Sequence, residues 1–135
     1  MSASPAPENV FGTPPLELAG DTSRLPQFSP LVPGAQALED VAPGSLGSLI
    51  MLAPPGTIER RYTLALALRA LKPDATLTAL APKDKGGSRL AGDLEYLGCN
   101  FHESSKRHHR ICVTQGGGDN NAIEQAIADG APRFD

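Results

Sequence analysis

The sequence predicts an α/β domain, a mostly parallel sheet with helices on both faces. Three observations carry that expectation. Leu49–Ala53 and Thr76–Leu80 are short apolar runs with the length and continuity of strands buried on both sides. Each is followed by a proline- or glycine-marked break and then by a helical stretch, the alternation that joins parallel strands through crossover helices. The unit spans residues 48–94, about half of a doubly wound sheet, whose ligands sit beyond the carboxyl ends of the strands.

Taken in order, residues 1–34 are interrupted by Pro14-Pro15, Pro26, Pro30 and Pro33-Gly34, so an irregular segment is expected there, packed on a domain formed by residues 35–135. A short helix is expected over Ala35–Val41, ended by Pro43-Gly44. The strand Leu49–Ala53 closes at Pro54-Pro55-Gly56. Thr57 is placed to cap the next helix, Glu59 adds negative charge to its first turn, and Lys72-Pro73 ends it. After the second strand comes a loop over Ala81–Gly87. Ser88 is then placed to cap a helix with Leu90, Leu94 and Leu97 on one face, and Gly98 marks its end. Asn100–Glu103 and His109–Gln115 read as two strands joined by a polar turn. Beyond Gly116-Gly117-Gly118, Asn121 and Glu124 form a capping box for a last helix bearing Ile123, Ala126 and Ile127, ended by Gly130 and Pro132.

Size and charge narrow the function. A chain of 135 residues suits one modest domain and is short for a two-domain enzyme. No apolar run approaches the roughly 20 residues that cross a bilayer. Met1–Glu8 lacks the basic and apolar regions of a secretory signal, so a cytoplasmic protein without membrane contact is expected. The net charge of −3 is unevenly spread. Residues 1–60 hold two Lys/Arg against six Asp/Glu, residues 61–115 nine against five, and residues 116–135 one against four. The basic centre permits contact with a polyanion, while the acidic whole argues against tight, autonomous nucleic-acid binding.

Two clusters invite chemistry. Lys83-Asp84-Lys85-Gly86-Gly87-Ser88 precedes a helix, where N–H groups and lysines attract anions, but it lacks the GxxxxGK[ST] spacing of a P-loop. Cys99-x-x-His102 and His109-x-x-Cys112 offer the donor set of tetrahedral zinc. In strands, however, side chains three apart point to opposite faces, so no metal is expected. The two cysteines then read as reduced, partly buried thiols.

Residues 45–112 resemble class I S-adenosylmethionine-dependent methyltransferases, in particular the amino-terminal, non-catalytic domain of small-subunit ribosomal RNA (guanine-N2) methyltransferases. Leu71-Lys72-Pro73-Asp74-Ala75-Thr76-Leu77, the polar glycine loop and Ser88-Arg89-Leu90 carry the strongest part of the likeness. The resemblance implies a Rossmann-like methyltransferase fold, here truncated or degenerate. In that family the first domain has lost cofactor binding and supports a second, catalytic one. Amino-methylating members end a strand in Asn/Asp-Pro-Pro-aromatic, which accepts hydrogen bonds from the target amine and stacks on the base. At the corresponding place this chain has Ala53-Pro54-Pro55-Gly56, with neither an acceptor side chain nor a ring, and the family's glycine-rich first turn is missing.

The resemblance therefore implies no catalytic residues and no cofactor for this chain, and a structural and RNA-orienting role in ribosomal RNA processing. The implied partners are a catalytic methyltransferase domain, on the same longer chain or a separate one, and ribosomal RNA. Lys83, Lys85, Arg89, Lys106, Arg107 and Arg110 are the candidate contacts for RNA or another anion. Two alternatives stand beside it: a methyltransferase in its own right, holding S-adenosylmethionine, and a small anion- or phosphate-binding module using residues 83–89.

Overall fold

Five strands form one mixed sheet in the computed structural model, which describes residues 6–131. Strands β1 (Asn9–Phe11), β2 (Leu49–Leu52) and β3 (Leu77–Pro82) run parallel. The hairpin of β4 (Phe101–Lys106) and β5 (His109–Thr114) adds to β3 in antiparallel fashion, giving the order β1-β2-β3-β5-β4. The mixture follows from loop length. Two residues separate β4 from β5, enough for a hairpin, whereas β2 and β3 are joined by a whole helix. Strand β1 lies inside the segment expected to be irregular; three residues between prolines and glycines are too short to show a period. Its outer edge is paired in turn by Gln27, with Val10 N–H donating to the Pro26 carbonyl and Phe28 N–H to the Val10 carbonyl, both at 3.0 Å.

Helices α2 (Thr57–Ala70), α3 (Ser88–Tyr96) and α4 (Asn120–Gly130) cover one face of the sheet. Leu49, Met51, Leu77, Ala79, Ala81 and Cys112 point into this layer and meet Leu64, Leu90, Leu94, Leu97, Ile123 and Ala126. Leu90, Leu94 and Leu97 are fully buried, each worth roughly 1.5–3 kcal/mol of transfer free energy. The opposite face carries Val10, Ile50 and Leu80, covered by Leu18 and Ala19 of the short α1 (Leu16–Ala19) and by Leu25. The long Gly12–Ser48 connection thus wraps the β1 edge, sending Leu18 and Leu25 to one face and Phe28 and Leu38 to the other.

Several local expectations shift. The helix expected over Ala35–Val41 is a single 3-10 turn, Leu38–Asp40, because Pro43 and Gly44 leave it no length. Thr57 and Ser88 do not cap; they are the first residues of their helices, following Gly56 and Gly87, and neither preceding residue makes a side-chain cap. At α4 the cap is Asp119, whose Oδ2 accepts from Ala122 N–H at 2.9 Å, in place of Asn121. An aspartate at this position is a strong N-cap and complements the helix dipole. Gly98 ends the α3 region with φ 79°, where a Cβ would meet the Asp119 backbone. Among the described residues no helix is long and apolar enough to cross a membrane. Pro132, and residues 1–5 of the stretch read for a targeting signal, lie outside the described residues.

Candidate functional site at the carboxyl ends of the strands

The ends of β1 and β2 open into a cleft of about 570 Å³. Phe11, Gly12, Ala53, Pro54 and Pro55 come from the strand ends, Phe28 to Val32 and Leu38-Glu39 from the wrapping connection, and Glu59, Tyr62 and Leu66 from α2. The turn leaving β1 is closed on itself. Gly12 N–H donates to Gln27 Oε1 at 2.7 Å, and Gln27 Nε2 donates to the Gly12 carbonyl at 2.9 Å. The same Oε1 also accepts from the N–H groups of Phe28 and Ser29, at 3.1 and 3.0 Å. Beyond Thr13, Pro14 and Pro15 supply no N–H at all. Ala53 N–H donates to the Leu80 carbonyl at 2.8 Å and continues the ladder. On the cleft wall the Tyr62 hydroxyl donates to Glu39 Oε2 at 2.8 Å; desolvation first, and Glu39 second, push its pKa up to about 12.

At the other half of the same end, the Lys83–Gly87 turn follows β3 and lies against the β4–β5 hairpin. Lys83 N–H donates to the His108 carbonyl at 2.9 Å, so the two basic segments read separately from the sequence are joined through the backbone. Gly87 is required here, since a Cβ would stand 2.6 Å from the Ala81 carbonyl oxygen. The hairpin turns on Arg107 and His108, both left-handed at φ 53° and 61°. This is the geometry of a two-residue turn with two positive φ values, normally filled by Asn-Gly, and it costs non-glycine residues roughly 1–2 kcal/mol each. His109 Nδ1 donates to the Arg107 carbonyl at 2.8 Å and steadies the turn.

Lys83, Lys85, Arg89, Lys106 and Arg107 are all exposed, with Asp84 the acid among them. Arg110 stands apart. It pairs across β4–β5 with Ser105 on the helical face, and its guanidinium lies 3.9 Å from Glu103. The Lys83 turn and the Lys106-Arg107 end of the hairpin thus lie side by side, while Arg110 sits beside an acid.

A residue that sequence reading passed over connects the two halves. Arg60 is wholly buried; it donates to Asp93 on α3, to the Pro55 carbonyl at 2.7 Å and to Thr57 Oγ1 at 3.4 Å. Asp93 also accepts from Arg61 Nε at 2.9 Å, and Arg61 stacks over the Tyr96 ring at 4.3 Å. The signal was present: Arg60 falls in line with the buried Thr63, Leu64 and Ala67 at helical spacing, where a charge demands a buried partner. Gln27 left no comparable trace, because the partner that closes the turn, the Gly12 backbone, lies fifteen residues away.

The cysteines and histidines separate by face. Cys99 and Cys112 are buried in the helical layer, and burial raises their thiols to about 11 and about 12. His102 and His109 pair with Val113 and Lys106 on the opposite side of the sheet from Cys112. Among the described residues no group of three or more metal-ligating side chains converges.

This arrangement of sheet and helices is an α/β, Rossmann-like methyltransferase fold. Among solved structures the chain is similar to the T. thermophilus 16S rRNA N2 G1207 methyltransferase (RsmC), solved in complex with AdoMet and guanosine, with a TM-score of 0.58 and 18% identity. That likeness covers 87% of this chain and 37% of the solved one, so the chain spans little more than a third of that enzyme's length. No protein-family model and no curated protein matches the chain. The residues at the strand ends do not fit S-adenosylmethionine: the β1 turn spends its Gly12 donor and acceptor on Gln27, and beyond Thr13 the next two residues are prolines without N–H groups.

Proposed function

We propose that this chain is a degenerate methyltransferase-like domain that supports an RNA (guanine-N2) methyltransferase, with a structural and RNA-orienting role. The observation that carries the reading is the Gln27–Gly12 pairing. A backbone turn that would have to face a cofactor is instead closed by a carboxamide of the same chain. The Ala53-Pro54-Pro55-Gly56 turn adds to it, since Ala53 has no acceptor for a target amine and the Pro55 carbonyl is engaged by Arg60. Catalysis would then belong to a second domain, on a longer chain or on another one. The exposed rim of Lys83, Lys85, Arg89, Lys106 and Arg107 would grip phosphates without reading bases, because phosphate contacts position while base contacts specify.

The test is isothermal titration of the chain with S-adenosylmethionine. No specific heat is expected at micromolar protein. A one-to-one isotherm with a Kd below about 100 μM, roughly 5.5 kcal/mol of binding free energy, would transfer the chain to the enzymes.

A further inference from the structure

We infer that the cleft at the ends of β1 and β2 is a docking site for a segment of a partner polypeptide that carries an aromatic or aliphatic anchor beside an arginine or lysine. The inference rests on the reading that the cleft no longer serves a cofactor. Its floor is apolar, formed by Phe11, Phe28 and Leu66. On its lip Leu31 is 90% exposed. Large apolar side chains gathered around one concavity mark an interaction surface more than a solvated one.

Charge selects the partner. The charged side chains lining the cleft are Glu39 and Glu59, and among the described residues no lysine or arginine lines it. Phosphates would be repelled, which sets this mouth apart from the basic rim; a cation flanking an apolar anchor meets both features at once. Anchors of this kind, buried in a pocket and ringed by polar groups, carry most of the energy in protein interfaces.

Fluorescence anisotropy tests the inference with the full chain and a fluorescein-labelled peptide, Ala-Arg-Phe-Ala-Arg-Leu, beside a counterpart with glutamates for arginines. Saturable binding of the cationic peptide is expected, at least tenfold tighter than that of the acidic one. L31D/E59K, two changes at exposed positions, should weaken it at least tenfold, and the milder E39Q/E59Q should weaken it in the same direction. K106A/R107A should leave it unchanged. Equal binding of the two peptides, indifference to both cleft variants, or no saturable binding would overturn the proposal. So would a concentration-dependent dimer in sedimentation velocity that E59K abolishes, since a second copy would then be the occupant. An S-adenosylmethionine isotherm from the parallel titration would instead sink the supporting-domain reading, so the two failures are distinguishable.

Discussion

At the carboxyl ends of β1 and β2 the surface is apolar and acidic, whereas at the ends of β3 and along the β4–β5 hairpin it is polar and basic. The two regions stand at one end of one sheet, yet they are built from different kinds of connection. The first is walled by the long Gly12–Ser48 segment, which crosses both faces and uses a side chain, Gln27, to satisfy its own backbone. The second consists of two tight turns that satisfy one another through the Lys83–His108 backbone bond, leaving their long cationic side chains in water. A wrapping loop makes a concavity and uses up its polar groups; a tight turn makes a rim and displays them. The opposite chemistries follow, and they suit different partners.

The variants that separate the two regions range from large effects to small. Arg60→Met should cost the most, about 3–5 kcal/mol in denaturant unfolding, because Asp93 is left buried with only Arg61 as a partner. The double change R60M/D93N should recover part of that loss. Recovery would show that the cost lies in the carboxylate left under-paired, while equal instability would show that the intact pair is needed to hold α2 against α3.

Gln27→Leu should cost about 1–2 kcal/mol, since Gly12, Phe28 and Ser29 all lose a partner in a half-buried setting. If S-adenosylmethionine still produces no heat with this variant, the proposed loss of cofactor binding runs deeper than the carboxamide pairing. A new isotherm would identify the pairing itself as the barrier.

Replacing Lys106, Arg107 and Arg110 with alanine, in the chain together with the proposed catalytic partner, should lower RNA affinity by about tenfold and flatten its salt dependence. Each lost phosphate contact removes about 0.7 from the logarithmic slope for a single strand. Most of the effect should come from Lys106 and Arg107, because Arg110 sits beside Glu103 in a half-exposed pair of little energetic worth. RNA binding unchanged at low salt would leave the basic rim an ordinary solvated surface.

The smallest effect concerns Tyr62 in the acidic region. Ultraviolet titration should show one of the two tyrosines ionising near 12, and Glu39→Gln should bring it down. A pKa raised in the folded state means that the associated stability is complete below pH 10, the unfolded value, and fades as pH rises toward 12. A Tyr62 indifferent to Glu39 would mean that burial alone sets its ionisation.

What the sequence determined by itself was local and periodic. The strands at 49 and 77, the helices after them, the Leu90, Leu94 and Leu97 stripe and the glycine stops were legible because each depends on neighbours within a turn or two of backbone. The Ala53-Pro54-Pro55-Gly56 turn was legible for the same reason, as a contiguous string. Only the tertiary structure decided the rest. Strand β1 is three residues long and is held by pairing to Leu49–Met51, some forty positions away. The union of the Lys83 turn with the Arg107 hairpin needs the antiparallel register of β3 and β5. Gln27 finds Gly12, and Arg60 finds Asp93, through long-range geometry that no spacing encodes. Periodicity reports which face a residue turns to the core, but the partner across that core is chosen by packing, and the sites of this protein are made of partners.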